Sequence, residues 1–217
     1  MTLFYLLRHG AIDWPEPDCF IGQTDAPLSS EGRQQADAWR RGLYKVEFAA
    51  VWSSDLRRAA ETAGIIFAGR GAGVRTCREL REIQLGEWDG VPRRRVKASQ
   101  PGLWQARGED LAGFRPPGGE SFSDLQQRVV PQILRIAEET QGSACMVTHA
   151  GVIRVLICHM LQMPLSNLFR IYLDYGSLSI ISYAPERVEV CALNLRPSNL
   201  NCSPGGEIGG QHDPAQV

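Results

Sequence analysis

Arg8-His9-Gly10 closes the first apolar run of the chain, Phe4-Tyr5-Leu6-Leu7. An arginine carries a rigid fork of donors that suits phosphate or carboxylate. A histidine beside it can serve as nucleophile or proton carrier near neutral pH. A second histidine, His149, follows the run ending Met146-Val147-Thr148. The neighbours Arg57 and Arg58 stand just beyond Trp52-Ser53-Ser54, and the carboxylates Glu82 and Glu87 follow Leu80. Alone, Arg8 could cap a strand in solvent and His9 could bond a loop. Together the groups match what phosphoryl transfer requires: an in-line nucleophile, permanent cations around the phosphoryl oxygens, and an acid for the leaving oxygen. No G-x-x-x-x-G-K-[ST] occurs, so there is no P-loop. No Asp/His cluster has metal spacing, so the expected chemistry is covalent and needs no metal or cofactor.

These groups meet only if the elements between them bring them together. An apolar run closed by Gly reads as a buried strand, and Phe48–Trp52, Val74–Leu80 and Ser143–Val147 read likewise. Helices are expected from Ser29 or Ser30 to about Tyr44, and over Asp55–Phe67 with Ser54 as N-cap. Two more open at Glu120–Asp124, with a kink at Pro131, and over Val152–Leu161. Strands alternating with helices predict a three-layer α/β/α sandwich with a mostly parallel sheet. The loops after Leu7, Trp52, Leu80 and Val147 then open on one side of the sheet, where such folds bind ligands. Adjacent helical residues differ by about 100°, so only one of Arg57 and Arg58 can face that side. Leu178–Tyr183 and Arg187–Leu195 read as a hairpin, Ala11–Pro27 as a long loop, and residues 91–120 carry little pattern. Residues 1–196 form one domain, and residues 197–217 read as a disordered tail.

The 217 residues are 43% hydrophobic and 22% charged with a net charge of −1, so any anion site must be local rather than a global field. No secretory pattern opens the chain, and no run approaches the roughly 20 apolar residues of a membrane span. The expected location is cytoplasmic. The expected partner is a small phosphate ester, not nucleic acid or membrane, with a homodimer left open. None of the six cysteines forms a C-x-x-C pair, and Cys145, Cys158 and Cys191 read as buried. Arg93, Arg94, Arg95 and Lys97 read as a solvated helix face. His159 and His212 read as structural or solvated, Glu87 and Asp89 as loop surface, and Arg57 as paired with Glu61.

Leu7-Arg8-His9-Gly10 resembles the R-H-G signature of the histidine phosphatase superfamily, in its phosphoglycerate-mutase-like branch. Further pieces follow in the family's order. Gly22, Asp25, Pro27, Leu28, Gly32, Gln35 and Ala36 are similar to its G-x-x-D-x-P-L…G…Q-A segment. Ser54, Leu56, Arg58, Ala59, Thr62 and Ala63 are similar to S-x-L-x-R-A-x-x-T-A. Leu80-x-Glu82…Gly86…Trp88-x-Gly90, Gly119-Glu120-Ser121 and Val147-Thr148-His149-Ala150-Gly151 resemble the later motifs. The resemblance implies that His9 is the phosphorylated nucleophile, with His149 catalytic beside it. It implies that Arg8, Arg58 and His149 bind the phosphoryl group, that Glu82 is the proton donor with Glu87 its weaker rival, and that Arg58 is the arginine facing the pocket. The family often reads R-H-G-E-T-x-W-N, whose asparagine helps bind phosphate. Here stand Ala11, Ile12, Trp14 and Pro15, so Gln23 or Thr24 is expected to substitute. Ile21 replaces the mutases' threonine, and the stretch from Glu82 to His149 is short, which favours a phosphatase over a mutase. Phe169-Arg170-Ile171-x-x-Asp174-Tyr175-Gly176-Ser177-Leu178 resembles α-ribazole phosphatases of cobalamin assembly. The alternatives are a sugar-phosphate or fructose-2,6-bisphosphatase-like enzyme, a phosphoglycerate mutase, and a non-catalytic binding protein.

Overall fold

The computed structural model describes residues 1–71 and 73–197. Strand β1 (Thr2–Arg8) leads through a long loop to helix α1 (Ser30–Gly42), then β2 (Ala50–Ser53), α2 (Arg57–Ile66) and β3 (Val74–Thr76). The short helices α3 (Arg93–Ser99) and α4 (Pro101–Glu109) precede α5 (Phe122–Glu139), β4 (Gly142–Thr148) and α6 (Ala150–Met160). Strands β5 (Leu178–Ala184) and β6 (Arg187–Leu195) close the described chain. The sheet order is β3-β2-β4-β1-β5-β6. The first four strands are parallel, and β5 and β6 extend the edge antiparallel.

Strand β1 is central and apolar along its length because both its faces are covered. Its side chains alternate: Phe4 and Leu6 join a core with Leu125 and Ile133 of α5 and Val152 and Leu156 of α6. Tyr5 and Leu7 join the opposite core with Trp39 of α1 and Ala59 and Ala63 of α2. Leu6 and Leu7 are both fully buried, each worth about 1.5–3 kcal/mol of transfer free energy. The two cores make the predicted α/β/α sandwich. Ser29 caps α1 by accepting the Gly32 N–H, and Ser121 and Asp124 form a capping box at the start of α5. Among the described residues no helix is long and apolar enough to cross a membrane.

Several local expectations need correction. Strand β3 ends at Thr76, because its partner β2 ends at Ser53; the chain then turns at Arg78–Leu80 to bury Leu80. Helix α2 starts at Arg57 rather than Asp55. The Ser54 hydroxyl accepts the Leu56 N–H before the helix begins, and the Asp55 carboxylate pairs with Arg81. Glu61 pairs across to Arg33 of α1 rather than along its own helix to Arg57. Cys145 and Cys158 are buried, but Cys191 is exposed on the edge strand β6, whose outward positions alternate with inward ones. Pro131 lies inside α5, as the sequence predicts. Residues 91–120 contain α3 and α4, and Arg93, Arg94, Arg95 and Lys97 are exposed as expected. His159 is exposed. His212, Cys202 and the tail from residue 198 lie outside the described residues.

Candidate active site

The register of the sheet builds the site. Arg8 pairs with Thr148, so the next residues, His9 and His149, leave β1 and β4 side by side. The His9 N–H donates to the Thr148 carbonyl, and the two imidazole centroids lie 5.0 Å apart. Residue Ser54 leaves β2 beside them, its N–H on the Val147 carbonyl and its Oγ 2.9 Å from His149 Nε2.

The His9 ring is buried, and its Nδ1 lies 2.8 Å from the Gly10 carbonyl. A carbonyl only accepts, so the proton belongs on Nδ1 and the lone pair on Nε2. Arg58 Nε donates to that Nε2 at 3.2 Å. Burial holds the His9 imidazole well below the usual histidine range, and the charges of Arg58 and Arg8 push the same way. Burial does the same to His149, reinforced by Arg58. Both rings therefore rest neutral at pH 7. The His149 Nδ1 and the Arg8 Nε are buried without a protein partner, and buried polar atoms rarely stay unpaired.

Arg58 is 1% exposed and held from three sides. Besides His9, its Nη1 donates to the Thr24 carbonyl at 2.8 Å and its Nη2 to the Gly22 carbonyl at 2.5 Å. Arg57 is exposed. Arg8 donates through Nη1 to the Leu173 carbonyl at 2.7 Å and lies 3.7 Å from the Tyr175 ring centroid. Neither Arg8 nor Arg58 has a carboxylate within 4 Å among the described residues.

Glu82 is buried, and its carboxylate accepts the Ile83 N–H at 2.9 Å and the Gly151 N–H at 3.1 Å, in the first turn of α6. Glu87, the other carboxylate of this loop, is exposed. Arg128 of α5 fastens the loop that carries Glu82, donating to the Glu79 and Arg81 carbonyls and pairing with Glu120. Gln23 and Thr24 reach the site, but the hydrogen bonds they make go to the protein. Gln23 Nε2 donates to the Glu82 carbonyl at 3.1 Å, and Thr24 contributes the carbonyl that holds Arg58.

Asp89 is not loop surface. Its carboxylate accepts the N–H groups of Gly22, Gln23 and Thr24 at 2.8, 2.8 and 2.9 Å. Sequence reading missed it, together with Tyr175, whose ring lies 5.5 Å from His9. It also missed Thr62, which accepts the Gly10 N–H and donates to the Arg58 carbonyl. The one sequence signal for Asp89 was its place between Trp88 and Gly90 in a motif; its partners are three loop amides far away in the chain. Among the described residues no group of three or more His, Cys, Asp or Glu is placed to hold a metal ion.

Comparison with known proteins agrees with this architecture. The profile of the histidine phosphatase superfamily (branch 1) matches residues 4–196. Glucosyl-3-phosphoglycerate phosphatase of Mycobacterium tuberculosis is 36% identical over 171 residues, covering 75% of this chain and 76% of its own. Adenosylcobalamin/alpha-ribazole phosphatase of Escherichia coli is 28% identical over 193 residues, covering 88% and 95%. The crystal structure of the alpha-ribazole phosphatase from Shigella flexneri is similar with a TM-score of 0.81 at 28% identity, covering 89% of this chain and 96% of that one. With a match running from β1 to the end of β6, this chain belongs to the histidine phosphatase superfamily, branch 1, as a phosphoric monoester hydrolase.

Proposed function

We propose that this chain hydrolyses phosphate monoesters through a phosphohistidine on His9. The observation that carries the reading is a buried imidazole whose Nδ1 lies on the Gly10 carbonyl, which leaves the lone pair on Nε2, met among the described residues only by the Arg58 Nε–H. In the first step Nε2 attacks phosphorus, a P–N bond forms, and the P–O bond to the leaving alcohol breaks. Glu82 supplies the proton to that oxygen. In the second step Glu82 takes a proton from water, the water oxygen attacks phosphorus, and the P–N bond breaks to release inorganic phosphate. Arg8 and Arg58, neither in a close ion pair among the described residues, meet the phosphoryl oxygens with their permanent charge. The Ser54 hydroxyl already accepts the Leu56 N–H, so its hydrogen is free for His149 Nε2. That arrangement leaves the His149 Nδ1–H to donate to the phosphoryl group. Gln23 Nε2 gives one of its two N–H groups to the Glu82 carbonyl and keeps the other for a phosphoryl oxygen, so Gln23 stays the candidate for the place of the absent asparagine beside Arg8, Arg58 and His149.

The substrate is a small phosphorylated metabolite. The α-ribazole phosphatase likeness of residues 169–178 makes α-ribazole 5′-phosphate the first compound to assay; sugar phosphates and 3-phosphoglycerate isomerisation are the alternatives. The mechanism is tested by rapid quenching with radiolabelled substrate and mapping of the acid-labile phosphoenzyme. The label is expected on His9 and lost in His9→Ala. Stoichiometric label on any other residue would overturn the assignment.

A further inference from the structure

Arg8 is steered by a single peptide group. Its Nη1 donates to the Leu173 carbonyl at 2.7 Å. The N–H at the other end of that same peptide, that of Asp174, donates to Asn194 Oδ1 at 2.7 Å. A trans peptide is planar, so its C=O and N–H point in opposite directions and turn together. Whatever fixes the Asp174 N–H therefore fixes the carbonyl that Arg8 uses. Asn194 also grips the Asp174 side chain: its Nδ2 donates to Asp174 Oδ2 at 3.0 Å, and Arg196 Nε donates to the same oxygen at 2.8 Å. On the other side of Asp174, Tyr175 lays its ring 3.7 Å from the Arg8 guanidinium carbon. The Gly176 N–H then donates to the His9 carbonyl at 2.9 Å. Both chain neighbours of Asp174 thus touch Arg8, while Asn194 reaches it only through the peptide.

The edge strand is shaped for this grip. Between the pairs Leu178–Leu195 and Ile180–Ala192, β6 carries one residue more than β5, a β-bulge. Asn194 lies in that bulge with φ of 56°, a left-handed conformation that glycine adopts without cost and asparagine tolerates. Its N–H meets Ser179 Oγ at 3.3 Å. Bulges re-aim side chains and concentrate beside active sites. Here the bulge turns a carboxamide away from the ladder and onto the loop that carries Leu173 and Tyr175. The Arg8 Nε is buried without a protein partner among the described residues, so the direction of the guanidinium decides where its remaining donors point. We infer that Asn194 is a positioning residue of the phosphatase reaction: from the edge strand it holds the Leu173–Asp174 peptide and so aims Arg8 at the phosphoryl group. The inference rests on the reading in which Arg8 binds that group.

Asn194→Gly tests it. Glycine keeps the left-handed backbone of the bulge and removes only the carboxamide. For p-nitrophenyl phosphate, kcat/KM is expected to fall about tenfold, part of the roughly hundredfold that a misplacement of about 1 Å costs. The inhibition constant of inorganic phosphate is expected to rise, because a misdirected Arg8 holds that anion less well. Arg8→Ala and the double variant complete a cycle, with all four proteins assayed at a temperature where their melting curves show them folded. If Asn194 acts through Arg8, Asn194→Gly costs nothing further once Arg8 is Ala, since effects within one unit are not additive. A role confined to tying down the end of β6 would cost the same in both backgrounds. Equal losses in the two backgrounds, or an Asn194→Gly protein within about twofold of the parent in both constants, overturn the inference. If the folded parent fails to hydrolyse the ester, the phosphohistidine reading falls, and the cycle is read from calorimetric titration of inorganic phosphate; no phosphate binding by the parent then overturns the positioning role as well. Turnover by the parent that Asn194→Gly matches overturns the positioning role alone.

Discussion

Replacing Asp89 by Ala is expected to damage catalysis from a distance. Asp89 touches neither histidine in the hydrogen-bond network, yet it accepts three backbone N–H groups from Gly22, Gln23 and Thr24. The same short segment holds Arg58 by the carbonyls of Gly22 and Thr24. Hydrogen bonds to a charged group contribute about 1.5–3 kcal/mol each. Asp89 is half-exposed, and the freed Gln23 and Thr24 amides lie near enough to solvent to find water. The loss is thus well below the sum, about 2–4 kcal/mol, because bonds in one network are not additive. For a chain of this size that lowers Tm by about 4–16 °C. The catalytic effect follows from Arg58, which also meets the His9 lone pair at 3.2 Å. A misplacement of about 1 Å costs on the order of a hundredfold in rate, so kcat/KM for p-nitrophenyl phosphate is expected to fall about ten- to hundredfold at a temperature where the variant is folded. Asp89→Asn, which keeps one acceptor, should lie between. Activity of Asp89→Ala within twofold of the parent, measured alongside its melting curve, would refute the idea that this carboxylate positions Arg58.

Other outcomes follow from the same geometry. A Cβ on Gly151 would collide with the Glu82 carboxylate. Ala favours a helix over Gly by roughly 0.5–1 kcal/mol, so Gly151→Ala should lose at least about tenfold in kcat/KM by the positional sensitivity above while Tm holds or rises; unimpaired turnover would show that Glu82 has room to move. Glu82→Gln should slow esters with poor leaving groups most, since those need the proton; an equal loss for phenyl and p-nitrophenyl esters would argue against its acid role. Burial keeps His9 neutral below its ordinary pKa, so the acid limb of kcat/KM, corrected for substrate ionisation, is expected below pH 6.5. The same lowering makes stability fully present above the unfolded value near 6.5 and diminishing as pH falls toward the folded value. There the unfolded chain binds protons the folded one refuses. An acid limb centred at 6.5 or above, or a Tm that rises on acidification through that window, would contradict a buried neutral His9.

Much of the site was legible because it sits at strand ends. Apolar runs that stop at Arg8-His9, Ser53-Ser54 and Thr148-His149 mark the carboxyl edge of a parallel sheet, and chain order alone puts those edges together. The choice of Arg58 over Arg57 could not be read from the helix start: on spacing either could turn inward, and only the family resemblance preferred Arg58. The structure places Arg58 inside because Gly22 and Thr24 offer carbonyls there.

Local pattern alone specified the sandwich, the edge of the sheet that carries the site, and the residue types expected there. These are encoded in short-range patterns: buried runs, helical spacing and breaks at glycine. It took the assembled fold to show that Asp89 clamps a segment 67 residues away and that Gln23 donates to the Glu82 carbonyl. Such pairings join residues far apart in the chain and depend on how irregular loops pack, for which local pattern carries no signal. The neutrality of His9 has the same origin: it comes from burial beneath Arg8 and Arg58, a property of the assembled crevice rather than of any stretch of sequence.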